Sequence, residues 1–168
     1  LVKRQILGAL AALAVLSGCG SLSEVDSLES VGGEDGSGEL CIPLSEDGYA
    51  SFAWETVRNK SGTEVNINDV HAASDEIDVV EWFLASEDWP DAGVQSGALP
   101  GPGKFELATS VPAQETALIA VTVKSNDRED PLQTDVTVAY DSDGNTGLLP
   151  LTWSVLLVPP GTVCSDYR

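Results

Sequence analysis

The sequence predicts an all-β protein, an antiparallel sandwich of about seven strands, and three observations carry that expectation. From Glu39 onward, short runs rich in β-branched and aromatic residues are separated by clusters of Gly, Pro, Asn, Asp and Ser. Beyond the first twenty or so residues, no segment keeps the 3.6-residue apolar period of an amphipathic helix. About seven such runs fall within about 125 residues, a density that suits two packed sheets, with a small β-barrel as the alternative.

Taken in order, residues 50–58 alternate, with Phe52 and Trp54 on one face and Ser51 and Glu55 on the other. Asn59-Lys60-Ser61-Gly62 then supplies a turn. The same Asn59-Lys60-Ser61 has the form of a glycosylation sequon, and here reads as part of that turn. Residues 65–72 form a second run. Residues 77–84 form a third, with Ile77, Val79 and Phe83 on one parity and Val80, Trp82 and Leu84 on the other. A run apolar on both parities predicts a strand covered on both sides, or one whose Trp82 spans the core edge. Residues 105–108 are a short strand candidate and residues 118–123 a dense apolar run. Val136, Val138 and Tyr140 alternate with Asp135, Thr137 and Ala139. The last run, residues 148–158, passes through Leu151, Trp153, Val155 and Leu157. Pro150 cannot donate to a ladder, so the strand bends or begins there.

Ahead of these runs the chain is of a different kind. Lys3 and Arg4 precede an apolar stretch from Ile6 to Leu16. As a helix those residues would rise about 16 Å, roughly half of a ~30 Å hydrocarbon core, which marks an export signal and not a membrane span. The stretch ends in Leu16-Ser17-Gly18-Cys19, which resembles the lipobox of bacterial lipoproteins. A chain beginning with Leu1 fits an alternative start codon or a missing first residue, as in high-GC bacteria of the actinobacterial type. The resemblance implies cleavage after Gly18 and attachment of diacylglycerol to the Cys19 thiol. Two acyl chains, with palmitate as a typical one, anchor stably at about 0.8 kcal/mol per buried CH₂. The expected location is the extracytoplasmic face of a cell membrane, held by lipid without spanning. Of the three cysteines, lipid on Cys19 leaves Cys41 and Cys164 as a disulfide pair in an oxidising compartment.

The expected organisation is a signal peptide (1–18), a lipidated N-terminus with a flexible acidic tether (19–38), and a sandwich domain (39–168). Between Gly20 and Gly38 the chain is rich in Ser, Gly, Glu and Asp and has no Lys or Arg. The sandwich resembles the immunoglobulin-like domains of exported bacterial proteins. It lacks the Cys…Trp…Cys core pattern of antibody domains, because its cysteines lie at the domain's ends.

Charge narrows the function classes. The chain has 8 basic and 27 acidic residues, a net charge of −19; loss of Lys3 and Arg4 would leave 6 against 27, near −21. Such a surface repels phosphate polymers and anionic headgroups, so nucleic acid is not an expected partner. Basic proteins and divalent cations are what it attracts.

Candidate sites are few. Asp141-Ser142-Asp143-Gly144-Asn145 offers calcium ligands at Asp141, Asp143 and Asn145, but Thr146 and Thr152 stand where a calcium loop needs Gly and Glu. It reads as a hairpin turn ahead of a metal site. His71 is the one histidine; Asp69 and Asp75 lie near it in sequence, yet no nucleophile motif accompanies them. Zinc, thioether copper and phosphate-cradling loops find no matching residues, and no cofactor is expected. The connection 86–104 is long for a compact domain and holds Trp89-Pro90-Asp91 and Pro100-Gly101-Pro102-Gly103. Trp89 and Asp91 form a candidate partner-binding loop, weighed against Trp89 folding back to cap an open end of the sandwich. The expected function is a monomeric, non-enzymatic binding or scaffolding module facing another envelope protein. An acidic-residue hydrolase and a calcium-dependent adhesion or sensor module stand as the alternatives.

Overall fold

The computed structural model describes residues 26–32, 38–106 and 109–167. The expected signal peptide, the lipobox with Cys19, and residues 33–37 of the expected tether lie outside the described residues. Along the chain the strands are β1 (Leu28–Val31), β2 (Gly38–Pro43), β3 (Tyr49–Asn59), β4 (Val65–Ala72), β5 (Ile77–Ala85) and β6 (Gly93–Ser96). They continue with β7 (Ser110–Val111), β8 (Thr116–Ser125), β9 (Leu132–Thr134), β10 (Val136–Ser142), β11 (Asn145–Pro150) and β12 (Trp153–Val158). The architecture is the expected all-β sandwich. Its strands outnumber the seven expected, because two long strands are broken and short edge strands are added.

One sheet has the order β1-β3-β8-β5, with β6 sharing the outer edge of β3 beside β1. The other face is built from two ladders, β11-β10-β4-β7 and β2-β12-β9. The two are separate ladders that adjoin along the chain. Asp135 alone separates β9 from β10, and Leu151 and Thr152 alone separate β11 from β12. Pro150 pairs with Thr137 and Val155 with Thr134, so the register slips across the break. The orders β1-β3-β8-β5 and β4-β10-β11 match the two sheets of an immunoglobulin-like sandwich. β2 runs parallel to β12, the one parallel pairing among the described strands.

Between the sheets lies a core of Ile42, Phe52, Val57, Ile67, Val70, Ile77, Leu84, Ile119, Val121, Val123, Val138, Tyr140 and Leu157. Alternation is clean in β10, where Val136, Val138 and Tyr140 are buried. Three strands break it. β4 skips Asn68 against β10, so Ile67 and Val70 both reach the core. β3 shifts register against β8 between Ala53 and Glu55, and β5 shifts between Val79 and Glu81. Each bulge inserts one residue and exchanges which parity faces the core. Trp54, expected beside Phe52, is therefore 51% exposed, and Glu55, expected outside, is buried. In β5, Ile77 and Leu84 both reach the main core although they differ in parity.

β5 and β8 are also covered on their outer side. Ala53, Phe83, Ala85, Trp89, Leu99, Leu118 and Ala120 form a second cluster there. The segment 86–104 folds over that face. It is less irregular than expected, since β6 lies within it. Ser51 Oγ donates to the Gly97 carbonyl at 2.6 Å, which fastens it to β3. Phe105, expected to open a strand over 105–108, instead ends a 3-10 turn, Gly103–Phe105, and residues 107 and 108 lie outside the described residues.

Leu28–Val31 falls inside the expected tether and is instead a strand of the domain. The edge of β3 from Thr56 to Asn59 has no other partner, and Leu28 fills a core position at 1% exposure. Burying such a side chain is worth about 1.5–3 kcal/mol, which together with the ladder to β3 offsets the cost of ordering a short acidic segment. At the other end, Cys41 and Cys164 are joined with Cα atoms 5.8 Å apart across 123 residues. This disulfide ties β2 to the C-terminal 3-10 turn, Cys164–Tyr167.

Candidate functional site

The strands run between two ends, and the ends differ. At the first, the chain enters through Asp26 and Ser27, beside the turn after β3, the segment before β8, and the β10–β11 hairpin. Lys60 N–H donates to the Ser27 carbonyl, and Gln114 Nε2 to the carbonyls of Lys60 and Ser61. Asn59, at the candidate sequon, is fully buried. Its amide donates to the carbonyls of Thr63, Val111 and Pro112, and its Oδ1 accepts from Ser61. It is a turn residue, with no face open to a glycan.

The β10–β11 hairpin holds Asp141, Asp143 and Asn145. Ser142 pairs with Asn145, and Asp143 and Gly144 take φ of 50° and 79°. This is the two-residue turn with positive φ at both centres that the Asp-Gly pair favours. Asp141 accepts from Thr146 Oγ1 at 2.8 Å, and that bond, followed by one from Asn68, holds its carboxyl below the usual carboxylate range. The residue serves its cross-strand partner.

At the opposite end, the β2–β3 turn, the β4–β5 turn and the β8–β9 loop enclose an open cleft of about 840 Å³. Glu46, Asp75, Glu76, Asp127 and Glu129 line it, with Arg128 as its one cation. The Arg128 guanidinium donates to the Glu46 carbonyl, so it braces two loops more than it neutralises carboxylates. Nearby, Asp69, His71, Asp75 and Asp78 line a shallow cleft of about 340 Å³ between β4 and β5. His71 is exposed there and makes no hydrogen bond or ion pair among the described residues.

Trp89 is 3% exposed and packs edge-on against Phe83, with ring centroids 5.2 Å apart. It lies over the outer face of β5 and β8 and not at an open end of the sandwich, where the sequence suggests a cap, while Asp91, two residues on, is exposed. The exposed indole is Trp54, edge-on to Trp153 at 6.2 Å. It borders a cleft of about 250 Å³ with Ala53, Thr56, Glu87, Ala92, Gly93 and Leu118.

Sequence reasoning passed over Glu55. It is 2% exposed and faces the break between β11 and β12. Its Oε1 accepts from Thr152 N–H at 2.6 Å, from Thr152 Oγ1, and from Ser30 of β1; Oε2 accepts from Trp153 N–H at 3.4 Å. Those backbone donors are the ones the broken ladder leaves without partners. Burial pushes the carboxyl above its usual value of 4.5, opposed by the hydrogen bonds from Thr152 and Trp153. No signal in a single sequence marks the residue, because the bulge that turns it inward is set by β8.

No protein-family model matches the chain, and no curated protein matches it. Among solved structures it is similar to the VesB protease of Vibrio cholerae, at 10% identity and a TM-score of 0.42, over 79% of this chain and 32% of that one. It is also similar to a family 123 glycoside hydrolase from Clostridium perfringens, at 12% identity and a TM-score of 0.35, over 72% of this chain and 23% of that one. The N-terminal domain of PorA matches at 13% identity and a TM-score of 0.38, over 80% and 99%. The chain thus spans 32% and 23% of the length of the two enzymes. At TM-scores this low, the likenesses carry no argument about activity.

Proposed function

We propose that this chain is a lipid-anchored lipoprotein of the cell envelope whose sandwich binds or scaffolds another envelope protein without catalysing a reaction. The observation that carries the anchor is the use of the cysteines. Cys41 and Cys164 are spent on each other, which leaves Cys19 as the remaining thiol, directly after Leu16-Ser17-Gly18. No helix among the described residues is long and apolar enough to cross a membrane, in keeping with attachment through lipid.

The division between the two ends supports the binding role. The chain reaches the domain at the end where Arg58 and Lys60 pair with Asp26 and Glu29 beside the Asp141–Asp143 hairpin, and the cleft lined by five carboxylates opens at the other. β3 joins the two ends over 11 residues, about 35 Å at strand rise. An anchored domain therefore holds its acid-lined cleft away from anionic headgroups and towards a cationic segment of a partner protein.

The test has two arms. Expressed in a bacterial host with a labelled fatty acid, the full chain should incorporate label and Cys19→Ser should not; label on both, or on neither, sinks the anchor. Crosslinking from Glu46 and Glu129 positions in the native envelope should capture a protein with a Lys/Arg-rich surface, with capture weakening at high salt. Capture from Trp54 instead would move the binding face to the outer side of β3.

A further inference from the structure

We infer that β1 is a clasp: it closes over the outer edge of β3 and opens while the rest of the sandwich stays folded. Its closed form is built from several distinct contacts. Leu28, Glu29, Ser30 and Val31 pair with Asn59, Arg58, Val57 and Thr56. Lys60 Nζ lies 2.8 Å from Asp26 and 3.4 Å from Glu29, and Arg58 lies 3.5 Å from Glu29. The Tyr140 hydroxyl meets the backbone of Leu28 and Ser27. In a chain with 8 basic residues, two are committed to this one short strand.

Three features make its opening separable from global unfolding. The disulfide loop begins at Cys41, so the covalent staple closes the body of the domain and leaves β1 outside it. The ion pairs that hold β1 are well exposed, with side-chain exposures from 35% to 74%, and are therefore open to screening. Ser30 also closes over Glu55, a buried carboxylate whose hydrogen-bond partners, Ser30, Thr152 and Trp153, are all neutral. Lifting β1 admits water to that carboxylate and relieves a burial cost that the closed form carries. β3 meanwhile keeps its long ladder with β8 and its pairing with β6, so the main core holds its two sheets together.

Opening changes the geometry of attachment, a consequence that rests on the anchored reading above. The connection between Cys19 and the domain lengthens from residues 20–25 to residues 20–37. Its greatest span rises from about 20 Å to about 60 Å. Ionic strength thereby sets how far the domain reaches from the membrane.

Amide hydrogen exchange on the full chain, read by mass spectrometry in about 50 mM and about 1 M salt, tests the clasp. The amides of β1 should exchange faster than those of β8, and should speed up about three- to tenfold in high salt. The β8 amides should stay level or slow, because screening relieves self-repulsion in so acidic a chain. A common rate for β1 and β8, or a β1 rate that ignores or falls with salt, overturns the proposal. Glu55→Gln should slow β1 exchange at neutral pH with β8 unchanged, and faster β1 exchange in that variant counts against it. The exchange result stands apart from acyl labelling, so failure of the anchor and failure of the clasp are read separately.

Discussion

Replacing Glu55 isolates the cost of burying a charge from the benefit of filling a broken ladder. In Glu55→Ala, the N–H groups of Thr152 and Trp153 lose their acceptor at a buried position. Each orphaned donor costs about 1–3 kcal/mol, and relief from burying a carboxylate works against that sum. A net loss of about 2–4 kcal/mol at pH 7 is expected. Glu55→Gln keeps an oxygen for Thr152 N–H and carries no charge, so it should fall within about 1 kcal/mol of the parent. The pH dependence has a definite sign. The carboxyl is raised above 4.5 in the folded state, so the folded protein holds a proton that the unfolded chain has released. The contribution is fully present below 4.5 and is lost as pH rises through the folded value. The other carboxylates are shared by parent and Gln variant and cancel in the difference. Urea melts at several pH values from 4 to 7 should show the Gln variant gaining on the parent as pH rises, by about 1.4 kcal/mol for each unit of upward shift. Glu55→Ala as stable as the parent, or a Gln-minus-parent difference that stays flat or shrinks with pH, would refute the reasoning.

Other expectations follow from packing and covalent structure. Trp89→Ala should cost about 3–5 kcal/mol and lower Tm by roughly 10–20 °C, since the indole fills the outer cluster against Phe83; an unchanged melt would place the indole in solvent. Removing both Cys41 and Cys164 should cost about 4–5 kcal/mol by loop entropy, seen as a lower urea midpoint that reductant reproduces in the parent. Gly38→Ala would set a Cβ 2.1 Å from the Trp153 ring and should destabilise by about 1–3 kcal/mol, whereas Gly62→Ala, with open space around it, should stay within about 0.5 kcal/mol. Equal melts for the two glycine variants would show that Trp153 does not lie across Gly38.

Much of the sandwich was legible because its signals are local. β-Branched runs, turn clusters and the lack of a helical period depend on neighbours in sequence, and β4, β8 and β10 lie close to where those patterns put them. Pro150, where one strand was expected to bend or begin, instead closes β11, and the next strand starts at Trp153. The Asp-Gly pair at 143–144 formed the turn its backbone preference favours. Trp89 was visible as a residue needing an explanation, but its burial depended on a sheet face that includes Ala53, Leu118 and Ala120, far off in sequence.

What the sequence by itself determined is the class of fold, the acidic surface and the pairing of Cys41 with Cys164; it also supplied the reading of Cys19, which lies beyond the described residues. What only the tertiary structure decided is the phase of the strands and the edge of the domain. A bulge is a mismatch between two strands, so the shifts at Trp54 and Val80 have no signature in either strand alone. They turned Trp54 out, brought Glu55 in, and set Ile77 and Leu84, of opposite parity, in one core. Leu28–Val31 is a strand because β3 has a vacant edge with two cations beside it, and a vacancy belongs to the folded sheet and not to the segment that fills it.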